Sequence, residues 1–230
     1  MKLHTKTPMK AKALVLASTL VAMTAITSTH AAPIVLAGYD FTGSTLSATT
    51  EVGGTAGDFR IGTGLTGSGT DAGAGDPAPS VKLLGFSSVF STNITADDYA
   101  DFVFTPGVSG VDLERIEFDV APSFTGNTRQ VRVSYSFDGF ATAGTILSTL
   151  DVSASTAFQL YSQSLTDESL NTTTSAVTFR IESEQGYSDA RAIFVDNVAV
   201  YGAVIPEPGT LGLMLSALAG FAFLRMRRRK

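Results

Sequence analysis

The stretch 130–137, Gln-Val-Arg-Val-Ser-Tyr-Ser-Phe, alternates strictly between polar and apolar side chains. Val131 and Val133 fall on one side of an extended chain, whereas Arg132 and Ser134 fall on the other. A repeat of two residues is typical of a β-strand with one buried face and one wet face. The stretch therefore predicts a strand whose sheet packs on a core with one face only.

The same alternation recurs at 176–183, where Val177, Phe179 and Ile181 alternate with polar residues. No comparable helical period runs between residues 33 and 203. Short segments of this kind, bounded by Gly, Pro, Asn, Asp or Ser, predict an all-β fold: an antiparallel β-sandwich of the jelly-roll type. The predicted strands cover residues 34–41, 81–86, 101–105, 111–120, 130–137, 145–152, 157–165, 176–183 and 191–201.

Residues 42–80 separate the first predicted strand from the others and are rich in Gly, Ser, Thr and Ala. This composition offers little to bury, so it predicts a long loop or a short hairpin. We place the β-sandwich domain at 32–203, with this Gly-rich loop region inside it.

The N-terminal residues have the layout of a secretory signal peptide. Four lysines between Lys2 and Lys12 precede the apolar stretch 13–26, and small residues follow. We predict a signal peptide at 1–31, cleaved after Ala31. The alternative is an uncleaved anchor, although the apolar stretch is short for a membrane span.

The C-terminal residues contain three elements in order. Proline fixes φ and disfavours helix in the residue before it, so Pro206, Glu207 and Pro208 predict an extended, protease-accessible peptide. The uncharged run 209–224 is at the lower limit of length for a helix that crosses a hydrocarbon core about 30 Å thick. The basic tail 225–230 should hold its end in the cytoplasm, which leaves the rest of the chain outside it. The cations of this tail are Arg225, Arg227, Arg228, Arg229 and Lys230.

This order of Pro-Glu-Pro, apolar helix and arginine cluster resembles the PEP-C-terminal sorting signal, which exosortases recognise and cut in Gram-negative bacteria that make exopolysaccharide. The resemblance covers 204–230 and implies a recognition motif at 206–208, a membrane helix at 209–224 and a basic stop at 225–230. It further implies two partners, the membrane and an exosortase-type processing protease. The alternative is a tail anchor that is never cut.

The location that this resemblance implies has two stages. The chain would be exported and anchored in the inner membrane by its C-terminal helix. After processing, it would lie at the cell surface or in the extracellular space.

Charge and residue usage exclude several function classes. Of 16 basic residues, four lie in the leader and five in the tail, so residues 13–224 hold seven basic and 21 acidic residues, a net charge of −14. Such a segment should repel nucleic acid. The chain has no cysteine, and both histidines, His4 and His30, lie in the predicted leader. The mature domain therefore cannot build a Ser-His-Asp triad, a Cys-His pair or a usual catalytic zinc site.

The closing predicted strand contains Ile193-Phe-Val-Asp-Asn-Val-Ala-Val-Tyr201. It resembles the terminal aliphatic-Asp-Asn-Val strand of carbohydrate-binding modules and related jelly rolls, and this resemblance, over 100–202, implies a fold and no ligand. Asp196 interrupts an apolar run, and an inward charge needs a partner or a metal. In such jelly rolls a structural calcium often ties the first strand to the last, which implies Asp40 as a co-ligand. The alternative is that Asp196 and Asn197 lie at a strand edge or cap a turn.

Carboxylate pairs are the remaining route to catalysis, because a glycoside hydrolase needs two acids at a suitable separation. Such pairs also arise by chance in a chain with 21 acidic residues. The candidates are Asp97, Asp98 and Asp101 before one strand, and Glu117 and Asp119 on the wet face of another.

A sugar-binding face normally offers exposed aromatic rings, and this chain has no tryptophan. Tyrosines would have to supply the stacking surface. The candidates are Tyr99, Tyr161, Tyr187 and Tyr201.

The sequence predicts a non-catalytic exported surface or extracellular-matrix protein, sorted and processed through its C-terminal signal. Its role would be structural or adhesive in an exopolysaccharide or biofilm setting, with exopolysaccharide as a further partner. The alternative is a carbohydrate-binding module, and a third hypothesis is a carboxylate-based glycoside hydrolase. We predict no catalytic residue and no cofactor other than the structural calcium.

Overall fold

The computed structural model describes residues 32–65, 68–71, 73, 79–84, 98–107, 109–123, 129–153, 155–183 and 192–205, together with residues 217, 218 and 225. Within them the chain forms β-strands and two short 3-10 helices, η1 (Thr42–Ser44) and η2 (Glu168–Leu170). The strands are β1 (Ile34–Tyr39), β2 (Thr50–Glu51), β3 (Gly54–Ala56), β4 (Arg60–Ile61), β5 (Gly69–Asp71), β6 (Ser80–Leu83), β7 (Ala100–Pro106), β8 (Val111–Pro122), β9 (Arg129–Ser136), β10 (Thr145–Val152), β11 (Gln159–Ser164), β12 (Val177–Ser183) and β13 (Ile193–Val204).

The strands form two antiparallel sheets. The first has the order β11-β8-β13-β1-β2, and β6 pairs with both β13 and β5. The second has the order β10-β9-β12-β7-β3, and β4 also pairs with β7. The prediction of an all-β antiparallel sandwich is confirmed.

Aromatic side chains from both sheets fill the core between them. Tyr39 of β1 lies 5.0 Å from Phe102 of β7, measured between ring centroids, and Phe102 stacks on Phe179 of β12 at 5.4 Å. Val131 and Val133 of β9 are fully buried, as their alternation predicts. Burial of such side chains contributes roughly 1.5–3 kcal/mol each.

The alternation fails at Phe137, which is 41% exposed instead of buried. The reason is that β9 ends at Ser136, so Phe137 lies in the bend that follows and no longer obeys the period of the strand. This exposed ring lines a groove where β9 ends.

Polar side chains on the outer face of the second sheet are less exposed to solvent than the alternation predicts. Arg180 of β12 is 6% exposed, because its guanidinium packs 3.6 Å from the ring centroid of Tyr99 and 3.9 Å from that of Phe140. Its Nη2 also lies 3.6 Å from Oδ2 of Asp101, which is buried. Aromatic cover and a counter-charge therefore bury this arginine on the face away from the core.

The segment 42–80 differs from the predicted loop. Its described part contains η1 and the short strands β2 to β5, and Ser80 begins β6. Backbone pairing forms these strands, for example Gly54 with Pro106, and small residues suffice for it. Such short pairings leave no periodicity in the sequence.

Candidate functional site

Most of the predicted sorting signal lies outside the described residues, and so does the predicted leader. Val204 ends β13 opposite Val111, and the Ile205 amide donates to the Gly110 carbonyl at 3.3 Å. Arg225 is helical and exposed. Within the described residues, no helix is long and apolar enough to cross a membrane. Outside them lie Ala31, Pro206, Glu207, Pro208, Arg227, Arg228, Arg229, Lys230 and nearly all of 209–224.

Asp196 is fully buried in β13, where it pairs with Asp119 of β8. On its other side, the pairing of β13 with β6 runs through Val195 and its pairing with β1 begins at Val198. Oδ1 of Asp196 accepts the Asn197 amide at 2.8 Å, and Asn197 Nδ2 donates to Asp119 Oδ2 of β8 at 2.9 Å. Asn197 has φ of 48° where the pairing register with β8 shifts, so the two residues form a β-bulge.

Asp40 follows directly after β1, whose last residue, Tyr39, pairs with Val198 of β13. The first strand thus ends at the level of the bulge. The Asp40 carboxylate is exposed and accepts the hydroxyl and the amide of Thr42, and these hydrogen bonds lower its pKa.

The described residues contain no cluster of three His, Cys, Asp or Glu side chains that could hold a metal. Calcium takes about six to eight oxygen ligands. If Asp40 and Asp196 shared such an ion, backbone carbonyls would have to supply most of its shell.

Three of the acidic residues considered for catalysis, Asp101, Glu117 and Asp119, make hydrogen bonds or ion pairs with neighbouring strands. Asp101 Oδ1 accepts Arg60 Nε at 2.8 Å, and desolvation by burial raises the pKa of this carboxyl. Glu117 accepts the Ser162 hydroxyl at 2.8 Å and pairs with Arg115 at 2.9 Å, while Asp119 accepts Asn197. Asp97 lies outside the described residues, and Asp98 is half-buried.

The described tyrosines considered for sugar stacking form no exposed aromatic strip. Tyr161 is buried and stacks on Phe118 at 4.6 Å. Tyr99 and Tyr201 lie beneath the guanidinium groups of Arg180 and Arg115. Tyr187 lies outside the described residues.

A groove of about 460 Å³ opens where β9 ends, and the sequence did not predict it. We call it the Phe137 groove. The β9–β10 loop contributes one wall, and residues around η2 contribute the other. Its lining comprises Tyr135, Ser136, Phe137, Asp138, Thr142, Ala143, Gly144, Thr145, Asp167 and Ser169.

Hydrogen bonds hold both walls of the groove. On the η2 side, the Tyr135 hydroxyl donates to Asp167 Oδ2 at 2.5 Å, and Asp167 Oδ1 caps η2 by accepting the Ser169 amide at 2.9 Å. On the loop side, Asp138 accepts the Ser136 hydroxyl at 2.5 Å and the Thr142 amide at 3.1 Å. The shape of the groove therefore depends on these two aspartates.

The electrostatics of the groove favour ionised carboxylates. The Tyr135 hydrogen bond lowers the pKa of Asp167, and the Ser136 hydrogen bond lowers the pKa of Asp138. The general acid of a glycoside hydrolase needs a raised pKa, so neither Asp138 nor Asp167 suits the role of general acid. What the groove offers is an exposed phenylalanine ring beside carboxylate and hydroxyl groups, which is suited to binding hydroxyl-rich molecules.

Ring geometry at the groove is defined by two aromatic residues. Phe137 lies 5.7 Å from Tyr135 between ring centroids, with the ring planes at 87°. This edge-to-face contact fixes the exposed ring beside the buried one. The signal that could have indicated the site is the final aromatic residue of the alternating stretch, just before the Asp-Gly turn.

Solved structures resemble the sandwich with low sequence identity. The CBM22-1 xylan-binding domain from Paenibacillus barcinonensis Xyn10C matches with a TM-score of 0.46 and 11% identity, covering 76% of this chain and 98% of that one. A putative sugar binding protein from Bacteroides thetaiotaomicron also gives 0.46 and 11%, covering 74% and 100%. A cleaved adhesin domain of Lys-gingipain from Porphyromonas gingivalis gives 0.45 and 15%, covering 74% and 99%.

Among curated protein sequences, none matches this chain. One protein-family model matches its C-terminal end, over residues 204–229, and describes a PEP-CTERM protein-sorting motif. The matched region begins at the last residue of β13 and includes the Pro-Glu-Pro sequence. The chain therefore carries a PEP-CTERM protein-sorting motif behind its β-sandwich.

Proposed function

We propose that this chain is a non-catalytic component of the cell surface or extracellular matrix, with a structural or adhesive role. The observation that carries the proposal is the sorting motif at 204–229, which indicates an exported, sorted protein. An exosortase-type protease would cut near Pro206–Pro208 and release the sandwich from the membrane. The acidic composition of the segment that precedes the sorting motif suits a soluble extracellular domain.

The test of processing is the substitution Glu207→Ala in the full-length chain. Loss of this side chain should leave unprocessed protein in the membrane fraction and lower the released fraction several-fold. Asp58→Ala is the matched control, because Asp58 is an exposed acidic residue of the sandwich. Equal release from Glu207→Ala and wild type would exclude recognition through this motif.

A second candidate function is carbohydrate binding, and the Phe137 groove favours it. The 41% exposed ring of Phe137 offers a stacking surface for the apolar face of a sugar. Asp138 and Asp167 offer ionised acceptors to sugar hydroxyls, because the pKa of each carboxyl is lowered. Two negative charges repel uronic acids, so the ligand class would be a neutral polysaccharide.

Binding of the chain to immobilised neutral and uronate-bearing polysaccharides tests this candidate. Phe137→Ala should weaken binding to a neutral polysaccharide at least tenfold, which corresponds to about 1.4 kcal/mol. Val52→Ala is the control, because Val52 is 39% exposed but does not line the groove. Equal affinity of the two variants, or preference for uronate-bearing polymers, would rule out the groove as a neutral-sugar site.

A further inference from the structure

A second cavity adjoins the Phe137 groove. Its volume is about 270 Å³, and it lies between β10 and β11, the strands that end the two sheets. We call it the seam cavity. It shares Tyr135, Thr145 and Asp167 with the Phe137 groove, so the two cavities form one cleft. The other residues that line the seam cavity are Ile146, Leu147, Gln163, Ser164 and Thr166.

Polar side chains occupy core-facing positions of both sheets at the seam cavity. Gln163 of β11 lies opposite Ile116 of β8, and Thr145 of β10 lies opposite Tyr135 of β9. Directly paired residues point to the same face of a sheet, and both Ile116 and Tyr135 are buried in the core. Gln163 and Thr145 therefore point between the sheets, although the first is only half-buried and the second is exposed. The space between the sheets ends here in a polar cavity that is open to solvent.

The seam cavity offers mostly uncharged hydrogen-bonding groups. Thr145, Ser164 and Thr166 carry hydroxyl groups, which can both donate and accept. The Gln163 amide is oriented, because its Nε2 donates to the Ser164 carbonyl at 2.9 Å. Among the described residues that line this cavity, Asp167 is the only one with a charged side chain. Such a lining matches the hydroxyl groups of a neutral sugar.

We propose that the cleft binds at least two consecutive units of a neutral polysaccharide, one stacked on Phe137 and the next hydrogen-bonded in the seam cavity. This inference rests on the proposed carbohydrate binding at the Phe137 groove and adds what is recognised there, a stretch of chain in place of a single sugar. Tyr135 and Asp167, joined by their hydrogen bond, lie at the junction of the two cavities. Sites for drug-sized ligands measure about 300–1,000 Å³, so the whole cleft has room for more than one sugar ring.

The dependence of affinity on chain length tests this inference. The purified full-length chain is first tested for binding to dextran, mannan, galactan and β-glucan. Mono-, di-, tri- and tetrasaccharides of the polymer that binds most tightly are then titrated against the chain by calorimetry. We expect affinity to rise about tenfold from the monosaccharide to the trisaccharide, because hydrogen bonds in the seam cavity add to stacking on Phe137.

Gln163→Ala separates the contributions of the two cavities. It should lower affinity for the trisaccharide about fivefold, the effect of one lost hydrogen bond, and leave affinity for the monosaccharide unchanged. Thr166→Val removes a hydroxyl group from the seam cavity with little change of side-chain shape and should act in the same way. Gln130→Ala is the control, because Gln130 is an exposed glutamine of β9 that lines neither cavity.

Failure of the seam cavity and failure of the Phe137 groove give different results. A trisaccharide that binds no more tightly than the monosaccharide, while Phe137→Ala still weakens binding, would overturn the role of the seam cavity alone. Gln163→Ala and Thr166→Val variants that bind the trisaccharide as Gln130→Ala does would overturn it equally. No binding to any of the four polysaccharides, or binding that Phe137→Ala leaves unchanged, would overturn both the groove and its extension.

Discussion

The hydroxyl of Tyr135 donates to Oδ2 of Asp167 at 2.5 Å, and this hydrogen bond joins β9 to the segment between β11 and β12 at the Phe137 groove. Tyr135 belongs to β9 of the second sheet, whereas Asp167 follows β11 of the first. The bond therefore fixes the separation of the groove walls.

Loss of that bond should destabilise the domain. We expect Tyr135→Phe to lower the free energy of unfolding, because the hydrogen bond to Asp167 is lost. Urea denaturation of the segment 32–205 measures this change. Tyr201→Phe is the control and should stay within about 0.5 kcal/mol. A Tyr135→Phe variant as stable as wild type would show that the groove does not depend on this bond.

Stability should fall in acid. Hydrogen bonds lower the pKa of Asp138, Asp167 and Asp40 in the folded state. An unfolded aspartate has a pKa of about 3.9, so their contribution is present above that pH and is lost as pH falls through the folded values. Melting temperature measured between pH 7 and pH 2 should decline mainly below about pH 4. With Asp138→Asn and Asp167→Asn combined, the decline should be shallower, and an unchanged slope would contradict the assignment.

The buried charge on the outer face gives a separate prediction. Asp101 lies between Arg60 and Arg180, and Asp101→Asn leaves the Arg180 guanidinium buried without its counter-charge. We expect a loss in the free energy of unfolding that is smaller than the roughly 3 kcal/mol of a broken buried ion pair, because removing the desolvated Asp101 charge offsets part of it. Asp98→Asn, at a half-buried position close in sequence, should change it by less than about 0.5 kcal/mol. Similar values for the two variants would mean that the pairing of Asp101 contributes little.

A structural calcium shared by Asp40 and Asp196 remains a prediction. If calcium binds, a concentration one hundred times its Kd stabilises the fold by about 2.7 kcal/mol. Chelation should then lower the melting temperature of the segment 32–205 by about 5–10 °C. Asp40→Asn should remove most of this response. Identical melting curves with and without chelator would exclude the ion.

The sequence predicts the sandwich because period-two alternation marks the strands that pack on the core. Val131 and Val133 alternate with polar residues and are buried in β9. Phe179 alternates in the same way and is buried in β12. The strands β2 to β5 escape prediction because each is only two or three residues long and has little to bury. Their pairing depends on backbone groups, which leave no pattern in side chains.

The site could not be predicted, because its parts come together only in the folded chain. The groove joins the β9–β10 loop to residues near η2, and Tyr135 and Asp167 are 32 residues apart. Burial of Arg180 likewise depends on Asp101 and Phe140, which sequence alternation does not connect. The sorting motif, by contrast, is a continuous stretch, so the sequence alone is enough to recognise it.

We propose that the domain is exported and cut from its C-terminal signal. The most direct test is fractionation of cells that express the full chain with an internal tag, followed by the intact mass of the released species. We predict a product that starts near Ala32 and ends near residues 206–208. A membrane-bound product that retains Lys230 would contradict processing and make the chain a permanently anchored domain.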